Sequence, residues 1–213
     1  MNCQSHMIRP STHILIAAIV ASAWPHSMAQ TFSVGIVAGV SATSGFPNQT
    51  IVYSTPTTLY SEYSSHAGDY LVGVMAEVRL PWSLSVEADG IYRPLNFKAA
   101  TSSVQPVTSL GNTVLSWNFP VLLKRRFPSA AFSPLRITPL LEVGPSFRAS
   151  ANRNDTALSN YGATGRAGVE IRARRLRLAP TLRYTRWAPD RPAIAFIPRS
   201  NQSEVESVVG FSF

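Results

Sequence analysis

The sequence predicts an all-β protein: a transmembrane antiparallel up-and-down β-barrel of about eight strands behind an N-terminal signal peptide. Three observations predict it. Apolar residues recur with period two in successive segments, the spacing of strands and not of helices. Within those segments nearly every charge falls on the parity opposite the apolar residues. The connections alternate long and short, as do the outer loops and inner turns of such barrels. Composition agrees, with 45% hydrophobic but only 14% charged residues, against roughly 25% charged in ordinary soluble domains. No apolar stretch after the first thirty residues approaches the roughly 20 needed for a spanning helix.

The first segment reads as an export signal. Arg9, flanked by His6 and His13, precedes an apolar run from Ile14 to Ala23. Trp24-Pro25-His26 and the small-x-small triplet Ser27-Met28-Ala29 follow. Charge, apolar core and small-residue site in that order predict cleavage between Ala29 and Gln30. The domains are then a signal peptide, 1–29, and one outer-membrane barrel, 30–213. Cys3 is the sole cysteine and precedes the apolar core, so the mature chain forms no internal disulfide and no thiol metal site.

The predicted strands follow in order. Phe32–Val40 places Phe32, Val34, Ile36, Ala38 and Val40 on one face. A long polar stretch runs to Gly68. Tyr70–Leu80 opposes Val72, Val74 and Val78 to Glu77 and Arg79, and a tight Pro81-Trp82 turn leads on. Leu84–Arg93 opposes Leu84, Val86 and Tyr92 to Glu87, Asp89 and Arg93. Pro94 to Asn112 reads as a second long connection. Val114–Lys124 and Leu135–Arg148 follow, joined by a modest connection through Pro128 and Pro134. A third long connection, Ala149 to Tyr161, leads to Gly162–Ala173. The basic turn at Arg174-Arg175 leads to Leu176–Trp187, and a stretch with Pro189, Pro192 and Pro198 leads to Glu204–Phe213.

An eight-stranded barrel has an interior that side chains fill. Its expected contents are the charges of the polar parity: Glu77, Arg79, Glu87, Asp89, Arg93, Lys124, Arg136, Glu142, Arg166, Glu170, Arg172, Arg183 and Glu206. They read as an ion-pair network that plugs the lumen; a porin-like, low-conductance path is the alternative. The apolar parity then meets lipid, with interfacial aromatics at Tyr70, Trp82, Tyr92, Trp117, Phe147, Tyr184 and Trp187. A soluble lipocalin-like barrel binding an apolar ligand has the same alternation turned inside out.

Other functions find little in the sequence. The net charge is +8, yet the basic residues cluster only at Lys124-Arg125-Arg126 and Arg172 to Arg177, so no nucleic-acid partner is expected. His66 is the only histidine after the signal; Ser64, Ser65 and Asp69 lie near it without the spacing of a nucleophile and base. No enzyme, metal or cofactor is expected. The tyrosines at 53, 60 and 63 suit the first long loop to recognition.

A resemblance rests on four segments. Ser116-Trp117-Asn118-Phe119-Pro120-Val121-Leu122-Leu123-Lys124-Arg125-Arg126-Phe127 resembles the middle strand of the small outer-membrane β-barrel domain family. Leu140-Leu141-Glu142-Val143-Gly144-Pro145-Ser146-Phe147 and Leu182-Arg183-Tyr184-Thr185-Arg186-Trp187 resemble strands of the same family. Val208-Val209-Gly210-Phe211-Ser212-Phe213 resembles its terminal strand. The resemblance spans the mature chain and implies an OmpA-like or PorT-like eight-stranded barrel. It implies recognition of Val209, Phe211 and Phe213 by the barrel assembly machinery; the chain is expected to reside in the outer-membrane bilayer as a monomer with a structural or surface-interaction role. No peptidoglycan-binding domain follows the barrel, which argues against tethering to the cell wall.

Overall fold

The computed structural model describes residues 32–54, 58–102, 108–132, 135–150, 158–173, 176–190 and 199–212. The signal peptide with Ala29 and Gln30, the Arg174-Arg175 turn, Pro134, Pro192, Pro198 and Phe213 lie outside the described residues, as do the side chains of Tyr53 and Tyr60.

Period-two patterning yields eleven strands. They are β1 (Phe32–Ser41), β2 (Gln49–Ser54), β3 (Thr58–Ser64), β4 (Tyr70–Arg79), β5 (Leu84–Ser102) and β6 (Thr108–Arg126). Then come β7 (Ala130–Phe132), β8 (Leu135–Ser150), β9 (Tyr161–Ala173), β10 (Leu176–Trp187) and β11 (Ser203–Ser212). Eight of them form a closed antiparallel barrel in the order β1-β4-β5-β6-β8-β9-β10-β11, with β11 pairing back to β1. Closure leaves the barrel itself no unpaired sheet edge. No helix occurs among the described residues. Each of the eight predicted strands corresponds to one barrel strand.

The predicted connections need three corrections, the smallest being β7, which lies in the connection after Pro128 and pairs with β8. Within Pro94 to Asn112, residues 94–102 and 108–112 are strand and not loop: β5 and β6 run on together from Tyr92↔Trp117 to Thr101↔Thr108. Pro94 suggested a break because it lacks a backbone donor. It lies between the last β4–β5 pair, Val72↔Tyr92, and the first β3–β5 pair, Ser64↔Lys98. There β5 has a strand partner on one edge only, so proline is tolerated. Likewise, the stretch before Gly68 contains the β2–β3 hairpin, and β3 docks on the extended part of β5. A sheet in the order β2-β3-β5-β6 therefore overhangs one end of the barrel. This is the loop end; the other is the turn end.

The two faces of the wall differ sharply. Outward side chains are apolar and exposed: Phe32 (62%), Val74 (64%), Val143 and Leu182 (63%). Inward side chains include buried Glu77, Glu87, Lys124, Arg166 and Arg183. Tyr70, Tyr92, Trp117 and Phe119 form an outward aromatic row across β4, β5 and β6, with ring centroids 5.5–6.5 Å apart. Trp82 is exposed at the turn end. Trp187, expected in the outward girdle, points into the bore and is 2% exposed. It shares its parity with Arg183 and Thr185, and that parity faces inward.

Two local features fit the sequence less comfortably. At the β1–β11 seam, Gly35 pairs with Ser212, and a Cβ on Gly35 would collide with the carbonyl oxygen of Phe211. In the β4–β5 turn, Trp82 and Ser83 both hold φ of 61°, a left-handed conformation. That conformation costs a non-glycine residue about 1–2 kcal/mol.

Two stability changes follow. Gly35→Val obstructs the seam that closes the barrel and should destabilise it by about 3 kcal/mol or more. Urea unfolding in detergent reads this, and an unchanged midpoint would place the seam elsewhere. Ser83→Gly relieves the left-handed strain and should stabilise by about 0.5–1 kcal/mol in the same assay, allowing for the entropy that glycine loses on folding.

Candidate functional site

The inward parity of the eight barrel strands converges on the bore. Its charges form two networks. Nearer the turn end, Lys124 on β6 contacts Glu87, lies 3.2 Å from Glu142 and 3.4 Å from Glu77, and so sits among three carboxylates. Arg166 on β9 reaches across to β5, 2.5 Å from both Glu87 and Asp89, and lies 3.0 Å from Glu142. Arg126 joins Glu77 at 2.6 Å to Glu170 at 2.9 Å. Arg79 lies 3.7 Å from Glu77.

Nearer the loop end, Arg93 on β5 contacts Glu204 and lies 3.3 Å from Glu206, both on β11. Arg148 donates to the second Glu204 oxygen at 2.7 Å, and its guanidinium lies 3.8 Å above the Trp187 ring. Arg183 donates to Glu206 at 2.5 Å. A chain of hydroxyls, Ser146–Thr164–Thr185, runs beside this network at 2.6 and 2.8 Å.

Among the described residues, these networks engage seven carboxylates and seven cations. Glu77, Glu87, Asp89, Arg93, Lys124, Glu142, Arg166, Glu170, Arg183 and Glu206, all expected in the lumen, are buried there. Arg79 is half-buried. Arg136 and Arg172 are on the inward parity but exposed, because each occupies the last inward position before its strand ends, where the bore opens. Four inward charges were missed: Arg126, Arg148 and Glu204 in the networks, and the buried Arg177 outside them. The signal was present, since each shares the parity of a residue that was identified. Arg126 was hidden in the basic run with Lys124 and Arg125.

At the loop end, described residues pack into an apolar layer. Phe46, Leu95, Val114 and Leu158 form a buried cluster, with Phe97 against it and the Phe46 and Phe97 rings 5.0 Å apart. Asp190 binds neighbouring loops together: its carboxylate accepts from Ser159 N at 3.1 Å, Ser200 N at 2.6 Å and Ser200 Oγ at 2.7 Å. Asn201 N donates to Gly45 O at 2.9 Å.

His66 lines a recess of about 270 Å³ at the loop end, with Ser64, Ser65, Asp69 and Asn96. Ser65 Oγ donates to Asn96 O at 2.7 Å, and Asp69 accepts from Asn96 Nδ2 at 2.7 Å. These bonds commit the hydroxyl and the carboxylate to Asn96. Among the described residues, no group of three His, Cys, Asp or Glu side chains is placed to hold a metal ion.

No protein-family model matches the chain, and no curated protein matches its sequence.

Removing one member of a buried ion group costs about 3–5 kcal/mol, because its partners remain charged and unpaired. Lys124→Met should approach or exceed the upper figure, since it strands three carboxylates. The outward, exposed Arg125→Gln should change stability by less than about 0.5 kcal/mol. Equal losses in urea unfolding would show that Lys124 is not the hub.

Proposed function

We propose that this protein is an integral outer-membrane β-barrel with a closed bore and a structural or surface-interaction role. One observation carries the reading: the polarity of the wall is inverted relative to a soluble barrel. Large apolar side chains stand exposed around the outside, while Arg93 (0%) and Lys124 (2%) are buried within. A soluble protein seldom exposes contiguous apolar surface beyond a few hundred Å². A lipocalin-like ligand binder needs the opposite arrangement, with an apolar interior.

Strand length supports the same reading. The shortest barrel strands have 10 residues. At about 3.4 Å per residue and a tilt near 40°, ten residues rise about 25 Å, the height of the apolar band in such proteins. Outward Arg125 and Arg186 lie near strand ends, where the cost of a charge falls toward zero. In this orientation the loop end faces outward from the cell and the turn end faces the periplasm.

The crossing ion pairs and the apolar cluster at the loop end favour a plug over a channel. The overhanging β2-β3-β5-β6 sheet supplies a surface for interaction. Ser65 and Asp69 are bonded to Asn96 and not to His66, so catalysis is not part of the proposal.

The protein should fractionate with outer membranes and migrate differently on detergent gels before and after boiling, because a closed sheet pairs its own backbone groups. Recovery as a soluble periplasmic or secreted protein overturns the membrane reading. In planar bilayers the purified barrel should give no steady conductance. Reproducible openings altered by Arg183→Ala would identify a pore.

A further inference from the structure

The ion pairs leave cations at the turn end of the bore without carboxylate partners among the described residues. The inward position nearest the turn end is arginine on five of the eight barrel strands: Arg79 on β4, Arg126 on β6, Arg136 on β8, Arg172 on β9 and Arg177 on β10. The other three strands place serine there: Ser33, Ser85 and Ser212. Arg136, Arg172 and Arg177 are direct cross-strand neighbours in one row. Like charges placed directly opposite each other destabilise a sheet.

The nearby carboxylates are already engaged. Glu77 serves Lys124, Arg126 and Arg79, and Glu170 serves Arg126. Among the described residues, neither Arg136 nor Arg172 has an ion-pair partner. Arg177 is 6% exposed, and its Nε and Nη1 are buried without a hydrogen-bond partner. The Ser33 hydroxyl, 4% exposed, is also unpartnered. Beside this row lies a recess of about 260 Å³ lined by Arg79, Arg126, Arg136, Arg172, Ser83 and Glu170. Arg177 lies within electrostatic reach of Arg79 and Arg172, offset in part by Glu170 and Glu77, which are already engaged by other cations.

We propose that the turn end of the barrel is a binding site for a phosphate-class oxyanion, held by Arg79, Arg136 and Arg172, which line the recess, with the buried Arg177 beside Arg172 adding its charge. Planar guanidinium groups suit this ligand because each presents paired N–H donors matching two oxygens. Several guanidiniums around one recess match a tetrahedral dianion, which neutralises the row. A free phosphate ester and a lipid phosphate share this chemistry.

The test uses the purified chain refolded into zwitterionic detergent, in phosphate-free buffer. Inorganic phosphate is titrated against sodium chloride at equal ionic strength, and the unfolding temperature is followed. Phosphate should raise it saturably. Arg172→Gln/Arg177→Gln should weaken the apparent affinity about tenfold or more. The same variant should be more stable than the parent without phosphate, because like-charge repulsion is relieved; this shows that it folds. Arg125→Gln should respond as the parent does.

A parallel arm places the protein in phosphatidylcholine nanodiscs with and without phosphatidic acid. Stabilisation by free phosphate, lost in the double variant, identifies a soluble phosphate as sufficient. A variant-sensitive response to phosphatidic acid alone identifies a lipid phosphate. An equal effect of chloride, an undiminished response in the double variant, or no response in either arm overturns the proposal.

Discussion

A carboxylate or guanidinium withdrawn from water loses several kcal/mol of solvation, which only well-placed partners offset. This constraint governs the bore, where the two networks engage seven carboxylates and seven cations among the described residues. The pairs do more than balance charge. Arg166 ties β9 to β5, while Arg93 ties β5 to β11, and these strands are not neighbours in the wall. Each such bond spans the interior, so the groups that fill the bore also brace its sides. Because side chains alternate with period two, a one-residue slip of any strand would turn its charges outward and its apolar residues inward. Charge pairing inside and apolar exposure outside therefore specify the same register.

Most of the wall was legible in the sequence because that period is strict. Tyr70, Val72 and Val74 against Glu77 and Arg79 give β4 its face directly, and Leu176–Trp187 gives β10 its full length. The errors arose where a local rule overrode the period. Pro94 ended β5 too early on paper, since nothing in the sequence reveals that one edge of the strand is bare there. The β2–β3 hairpin was hidden in a Ser- and Thr-rich stretch whose pairing with β5 is non-local. Trp187 was assigned by residue type, although its parity with Arg183 placed it inside. Charge partners were less legible than charge positions. Parity puts Arg148 and Glu204 on the inward face, but only closure brings β8 and β11 across the bore from each other.

The ends of the bore solve the problem of unmatched charge differently. Near the loop end, three cations share two carboxylates. That surplus is spread: Arg93 also donates to Ser41 Oγ at 2.9 Å, and Arg148 lies on the Trp187 ring, a contact that favours a cation when water is excluded. At this end the described residues Phe46, Leu95, Val114 and Leu158 form a buried apolar cluster.

At the turn end, among the described residues, Arg136, Arg172 and Arg177 form no ion pair, and Glu170 and Glu77 offset Arg177 only in part while serving other cations. Neutral residues in that row would remove the repulsion and still close the barrel, since backbone pairing through Leu135↔Ala173 and Leu176↔Ala173 does not depend on the side chains. Folding alone thus gives no reason for three adjacent arginines. Solvent relieves part of the repulsion at exposed Arg136 and Arg172, but not at Arg177, which is buried beside them. An anion in the recess against Arg136 and Arg172 would relieve it there and lower the repulsion on Arg177 beside them, which makes the row intelligible as a site and not only as part of the wall.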